Sequence, residues 1–227
     1  QLIANVSHDL RTPMASMRGY VETMLMEGRT VDRAQRERYL KIITGNLDHL
    51  DRLVEHMLVL SRFDSGQATF QCEDFSMVEL ADSILVRFEG LAAEKEVKLD
   101  LVADDTAAQV QADPLQMAQV LQNLVENGIK FNQPGGMVVV GIEKIGERVG
   151  VSVRDTGRGI PARDLPHIFD RFFTGDESRT RLMADPDHVG NGHHLGQSSG
   201  LGLAIAAKIV AGHNSLLRVD SHPGEGS

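Results

Sequence analysis

The chain has 227 residues, of which 41% are hydrophobic and 4% aromatic, and its formal net charge is −9. The acidic balance, the few aromatics and the lack of a basic stripe exclude a nucleic-acid binder. A single cysteine, Cys72, excludes a disulfide framework and a cysteine-based zinc site, and suits a reducing cytosol. No apolar run approaches the roughly 18–20 residues that span a bilayer. The sequence opens on Gln1 rather than Met, so it is expected to be a piece of a longer chain, with any membrane segment in the part outside it.

Residues 1 to about 64 read as two long helices. The first carries Ile3, Val6, Leu10, Met14, Met17, Val21 and Met24 as a loose apolar stripe. The polar stretch EGRTVD, with Gly28, interrupts the pattern. In the second helix Leu40, Ile43, Leu47, Leu50, Val54 and Met57 follow alternating steps of three and four, which is a heptad seam. Two helices with one seam each bury themselves poorly as a hairpin, so a dimeric four-helix bundle is the expected completion.

The period changes after Gly66. MVELADSILVRFEGLAAEK is an amphipathic helix and VKLDLV alternates like a strand. DPLQMAQVLQNLVENGIKF is a helix with Asp113 as N-cap and Pro114 in its first turn. GMVVVGIEKI and RVGVSVRD are strands joined by a tight turn at Gly146-Glu147. SGLGLAIAAKIVAG is a helix entered through glycines, and LLRVDS is read as a last strand. Interleaved helices and strands imply an α/β domain, one sheet covered by helices.

Gln116, Gln119, Asn123, Asn127 and Lys130 form one polar stripe, with Leu115, Ala118, Leu121, Leu124 and Val125 on the apolar side. Alone the stripe also fits a solvated helix face. An asparagine pair at i, i+4 with lysine at i+7 can offer amide oxygens to magnesium and a cation to phosphates. DTGRGI follows a strand directly; Asp155 can accept the exocyclic amine of adenine, while Gly157 and Gly159 let the backbone approach a flat ring. GQSSGLGLAI is a glycine-rich entry to a helix whose free N–H groups suit phosphate, although it lacks the lysine of a P-loop.

SHDLRTP, NLVENGIKF, DTGRGI, IFDRFF and GLGLAI, in this order, resemble the H, N, G1, F and G2 boxes of sensor histidine kinases. The resemblance implies a dimerisation and phosphoacceptor hairpin over residues 1–66 and, over 74–227, an α/β sandwich ATP-binding domain of the type shared with gyrase and mismatch-repair ATPases, lacking its last strand. It implies His8 as phosphoacceptor with Asp9 and Thr12 beside it, Asp155 as adenine reader, and Asn127 as the magnesium ligand. Asn123 and Lys130 fall near the phosphates, Phe169 and Phe172 resemble lid-anchoring aromatics, and Arg171 reaches towards the γ-phosphate. Phe131, Gly157, Gly159, Ile160, Gly200, Leu201, Gly202 and Leu203 complete the implied ATP site. The sequence departs from the family at Gly128, where alanine is usual, at Phe131, where tyrosine is frequent, and at Thr174, where arginine is frequent. The lid, roughly 174–197, is long and carries His188, His193 and His194, read as part of a mobile polar segment rather than as metal ligands. The chain is expected to be truncated or disordered at HPGEGS.

Neutral imidazole is nucleophilic at one nitrogen when the other donates a hydrogen bond. Asp9 can accept that proton, and Thr12, at i+4 from His8, shares its face and can orient a water; Pro13 removes a backbone donor and is expected to bend the helix. The expected activity is transfer of the ATP γ-phosphoryl to His8 and then to an aspartate of a response-regulator receiver domain, with dephosphorylation of that regulator as a second activity. An ATP-gated interaction module and a serine-directed kinase or ATPase are the alternatives. The resemblance further implies ATP and Mg2+ as cofactors, a homodimer through the hairpin, and the cytoplasmic portion of an inner-membrane sensor.

Overall fold

The structure, a computed structural model, describes residues 2–26, 31–104, 109–175 and 199–227, without the side chains of residues 2–8. Contacts divide the chain into two compact units, Gln1–Ser61 with Arg171–Leu201 and Arg62–Asp170 with Gly202–Ser227.

In the first unit, α1 (Leu2–Met26) and α2 (Arg33–Asp64) form the hairpin, α2 running on into the second unit. The rings of Tyr20 and Tyr39 lie 5.0 Å apart. Each sits six residues from the intervening turn, so the pairing fixes the antiparallel register. Asp32 starts α2 by accepting the N–H of Gln35 on Oδ1 at 2.7 Å. The buried residues of α2 are Ile42, Gly45, Asn46, His49, Leu53 and Leu60, which share one helix face. This is not the expected seam: Leu40, Leu47 and Val54 are about half exposed, at 50%, 50% and 48%. The helix therefore carries two residue sets at helical spacing, one buried and one half-exposed. A helix in a four-helix bundle needs two, one for each neighbour, and the sequence pattern alone does not say which is used within the hairpin. In α1, Pro13 is fully buried while Met14 and Val21 are exposed. Burial lowers the His56 imidazole below its ordinary value; Arg52 adds to the effect and Glu55 opposes it.

The second unit begins with β1 (Glu73–Ser76), which leads into α3 (Met77–Glu94). Ser76 caps α3 by accepting the Glu79 N–H at 3.2 Å. Next come β2 (Lys98–Ala103), β3 (Gln109–Ala112), α4 (Pro114–Lys130), β4 (Met137–Ile145), β5 (Arg148–Asp155), a 3-10 turn (Leu165–His167) and α5 (Gly202–Gly212). The strands form two sheets rather than the single one expected: β1 pairs antiparallel with β3, while β2 and β4 run parallel and β4 and β5 antiparallel. Gly146, with φ of 64°, takes the first central position of the β4–β5 turn, where a positive φ matches the strand twist. LLRVDS joins neither sheet.

The core lies between one face of the three-stranded sheet and the helices laid on it. Ile84 and Leu85 of α3 and Leu121, Val125 and Ile129 of α4 pack on Val138, Val140 and Ile142 of β4. Ile205 and Ile209 of α5 are also fully buried. Among the described residues no helix is long and apolar enough to cross a membrane.

The two faces of α2 predict different costs. Leu53→Ala, at a buried position, is expected to destabilise the hairpin by about 2–5 kcal/mol. Leu47→Ala, on the exposed seam, is expected to cost less than about 1 kcal/mol at protein concentrations low enough to exclude association. Urea titrations followed by helical circular dichroism check both values, and equal costs would mean that the faces are misassigned.

Candidate functional site

The polar stripe of α4 exists because the helix is anchored at its start and buried on its other side. Asp113 Oδ1 accepts the N–H groups of Leu115 and Gln116, both at 3.1 Å, and Pro114 occupies the first turn. Val120, Leu121, Val125, Gly128 and Ile129 face the interior. Leu115, expected on the apolar side, is instead 80% exposed, because the first turn precedes the stretch that meets the core. Gln116, Gln119, Asn123, Asn127 and Lys130 are half-buried.

Asn123 Nδ2 donates to the Gly202 carbonyl at 3.0 Å. A Cβ on Gly202 would lie 3.2 Å from Asn123 Oδ1, so α5 begins pressed against the asparagine. The N and G2 motifs, 79 residues apart, thus meet. Asn127 presents a neutral amide one turn further along, an oxygen donor of the kind a hard cation such as magnesium takes. Among the described residues no group of three or more His, Cys, Asp or Glu could hold a metal.

Asp155 ends β5, and its Oδ1 accepts the Gly157 N–H at 2.8 Å, which folds DTGRGI back on itself. Burial pushes its carboxyl above its ordinary value, against the pull of hydrogen bonds from Gly157 and Ser227. Gly157 is buried, and a Cβ there would lie 2.5 Å from the Phe131 carbonyl oxygen; the same oxygen accepts the Arg158 N–H at 3.2 Å. Above the Phe131 ring sit Lys130 Nζ, 5.6 Å from the centroid, and Arg158 Cζ, 4.7 Å from it. Gly128 faces the γ-methyls of Val138 closely enough that a Cβ would meet them at 3.1 and 3.3 Å.

The last residues are placed rather than disordered, and form part of this loop system. The Asp155 N–H donates to the Ser227 carbonyl at 2.8 Å, and Ser221 Oγ accepts the Ile160 N–H at 2.8 Å while donating to the Gly226 carbonyl at 2.9 Å. Gly159, with φ of 67°, lies against the His222 carbonyl, where no side chain fits. Nothing in the composition of HPGEGS signals this role.

The remaining motif residues divide between the units. Phe169 and Leu203 are half-buried in the second. In the first, Arg171 is half-buried and Phe172 is buried with φ of 62°, its N–H donating to the Gly200 carbonyl at 2.9 Å. Gly200 has φ of 63°, and a Cβ on it would lie 2.7 Å from backbone atoms of Phe172 and Phe173. Leu201 is fully buried. His8 lies in α1, but its side chain is outside the described residues; Asp9 is half-buried and Thr12 exposed. His188, His193 and His194, with most of the expected lid, also lie outside them.

Two families match this chain: "His Kinase A (phospho-acceptor) domain" over residues 1–66 and "Histidine kinase-, DNA gyrase B-, and HSP90-like ATPase" over residues 112–227. The sensor histidine kinase WalK of Bacillus subtilis is 34% identical over 229 residues, an alignment that covers 100% of this chain and 35% of the relative. The chain thus spans about a third of the length of that relative. Among solved structures, the Acinetobacter baumannii histidine kinase AdeS matches with a TM-score of 0.73 at 20% identity, covering 96% of this chain and 93% of that one. The histidine kinase ThkA, solved in complex with the response regulator protein TrrA, matches with a TM-score of 0.62 at 28% identity, covering 76% and 50%.

The raised pKa of Asp155 fixes a sign. The folded carboxyl holds its proton more tightly than the unfolded one, so ionising it opposes folding. The opposition is complete above the folded pKa, shrinks as pH falls through it, and vanishes below the ordinary value of 3.8. Asp155→Asn keeps an oxygen for the Gly157 N–H and removes the ionisation. Its thermal midpoint at pH 7 is therefore expected to equal or exceed that of the unmodified chain, with a flatter acid limb. A clear drop at pH 7, read by calorimetry, would contradict this account of the carboxyl.

Proposed function

We propose that this chain, which belongs to the sensor histidine kinase family, moves the γ-phosphoryl group of ATP to His8 and from there to an aspartate of a response-regulator receiver domain. In this reading residues 1–66 are the dimerising phosphoacceptor hairpin and residues 74–227 the ATP-binding domain. The observation that carries it is the junction of the N and G2 motifs at Asn123 and Gly202, next to a DTGRGI loop closed on Asp155, in a chain that also holds a His-Asp-x-x-Thr helix.

Each group has a task. Asp155 accepts the exocyclic amine of adenine on the oxygen that Gly157 leaves available, and Gly157, Gly159 and Ile160 line the ring's path. Phe131, held under Arg158, offers an aromatic face to the base. By the resemblance, Asn123, Lys130, Gly200, Leu201, Gly202 and Leu203 serve the phosphates, Phe169 and Phe172 anchor the segment between the F and G2 motifs, and Arg171 serves the γ-phosphate. Asn127 would hold Mg2+, which when bound would neutralise phosphate charge.

One His8 ring nitrogen attacks phosphorus as the bond to the β,γ-bridging oxygen breaks, and ADP leaves. Asp9 holds the proton on the other nitrogen and so keeps the attacking lone pair free. The receiver carboxylate then attacks the same phosphorus and regenerates imidazole. The exposed seam of Leu40, Leu47 and Val54 supports a homodimer through the hairpin. A cytoplasmic location belongs to the same proposal, because the reaction consumes ATP. Attachment to an inner membrane through segments outside these residues also belongs to it, by likeness to sensor proteins.

Labelling with γ-labelled ATP tests the acceptor. The label is expected to be acid-labile and alkali-stable, as a phosphoramidate is, and His8→Gln should abolish it while leaving ATP affinity within about twofold. Asn127→Ala should weaken magnesium-dependent ATP binding and stop labelling. Acid-stable label, or label surviving in His8→Gln, would move the acceptor to another residue.

Thr12 carries the second activity. Water attacking an aspartyl phosphate needs orientation more than a strong base, and a hydroxyl supplies it. Thr12→Ala and Thr12→Val should both retain His8 labelling and slow loss of phosphate from the regulator about tenfold or more. Valine keeps the branching, so a packing role predicts that valine dephosphorylates like threonine, and that result would remove Thr12 from the chemistry.

A further inference from the structure

The turn after α5 gathers segments that lie far apart in sequence, all within the second unit. The Asp113 N–H donates to His213 Nε2 at 3.1 Å, and His213 Nδ1 lies 2.9 Å from the Ile209 carbonyl oxygen. A carbonyl only accepts, so Nδ1 carries the proton and Nε2 is the bare acceptor; the two bonds hold together only in that neutral tautomer. Asp113 also reaches back along the chain, since its Oδ2 accepts the Gln71 N–H at 2.9 Å. The Phe70 ring stands edge-on to the His213 ring, with centroids 4.4 Å apart. A Cβ on Gly212 would run into the Phe70 ring, which fills the space a side chain would take. Phe63, in the last turn of α2, is 6.0 Å from Phe70. The stretch between α2 and β1 is therefore seated twice, by a ring in a glycine notch and by an amide on the α4 cap.

We propose that this seat is a functional anchor for the linker and that His213 is its positioning residue. The proposal rests on the reading that the chain phosphorylates His8. His213 joins the start of α4 to the end of α5 and forms one wall of the notch, so the chain leaving α2 is fixed on the domain that holds ATP. With the linker seated, fewer residues swing freely between acceptor helix and nucleotide, and their encounter is oriented rather than left to a loose tether. The seat lies at the start of α4, while Asn127 and Lys130 are at its end. Unseating should therefore slow transfer and spare nucleotide affinity.

Two variants act from opposite sides without touching the proposed nucleotide groups. Phe70→Ala removes the occupant, and Gly212→Ala fills the notch while leaving Asp113 and His213 intact. In the full chain each is expected to lower kcat for His8 labelling at least threefold, with KM for ATP within twofold. In hydrogen exchange the Gln71 amide, protected in the unmodified chain, should lose protection at least tenfold in both. Labelling at the unmodified kcat in both variants would overturn the proposal, as would a KM rising in step with the fall in kcat. So would a Gln71 amide that exchanges freely in the unmodified chain. A protected Gln71 amide with no labelling would support the seat and count against the phosphoryl-transfer reading.

Discussion

The antiparallel pairing of α4 with α5 is the constraint on which the rest of the second unit depends. It is tied at two points: the Asn123 amide to the Gly202 carbonyl, and the Asp113 N–H to His213 Nε2. Each tie is one hydrogen bond, worth about 1 kcal/mol net. Their importance is geometric. α4 must bury Leu121, Val125 and Ile129 on the sheet, which fixes its rotation and turns the asparagine stripe away from the core. The ties then fix where α5 begins along that stripe. Loss of either would leave the apolar contacts largely intact but free the helices to slide, and the glycines at the start of α5 would lose their place beside Asn123.

A second layer depends on the first. The DTGRGI loop is held from three directions: by Asp155 itself through Gly157, by the Phe131 carbonyl through Arg158, and by the C-terminal segment through Ser221 and Ser227. Space at Gly157 and Gly159 is set by backbone atoms of Phe131 and His222, which cannot move aside as a flexible side chain could. These glycines are therefore required by close approach as much as by any ligand. The cost of the arrangement is a half-buried carboxyl that resists ionisation at Asp155.

How much of this could be read from the sequence follows from the range of the interactions. The helices α3 and α4, the β4–β5 hairpin and the glycine entry to α5 rest on local periodicity, capping and turn chemistry, and were legible. The five motifs gave the candidate residues, because each is a short run whose order is diagnostic. What stayed hidden depends on distant partners. Which face of α2 is buried in the single chain was not legible, because periodicity does not choose between Leu47 and Leu53. β1 and β3 have four residues each and gain their pairing only from one another. LLRVDS alternates like a strand yet pairs with none among the described residues. His213 and Phe70 belong to no motif; His213 matters through a contact with Asp113, 100 residues away, and Phe70 through its contact with His213, and no local pattern encodes either.

The segment between the F and G2 motifs is closed by a stem of its own. Phe172 and Gly200 both adopt positive φ, and a buried phenylalanine does so only where the surroundings compel it. Here the compelling groups are its own partners: the N–H of Phe172 bonds the Gly200 carbonyl, and the missing side chain of Gly200 lets the two backbones touch. A stem closed in this way separates the geometry on either side from whatever lies between. Closing a loop costs only about 0.6 kcal/mol more for each doubling of its length. Once Phe172 and Gly200 are paired, the intervening stretch can lengthen and change composition, histidines included, at little cost to the stem. The segment between the F and G2 motifs is thus bounded by two backbone positions with positive φ.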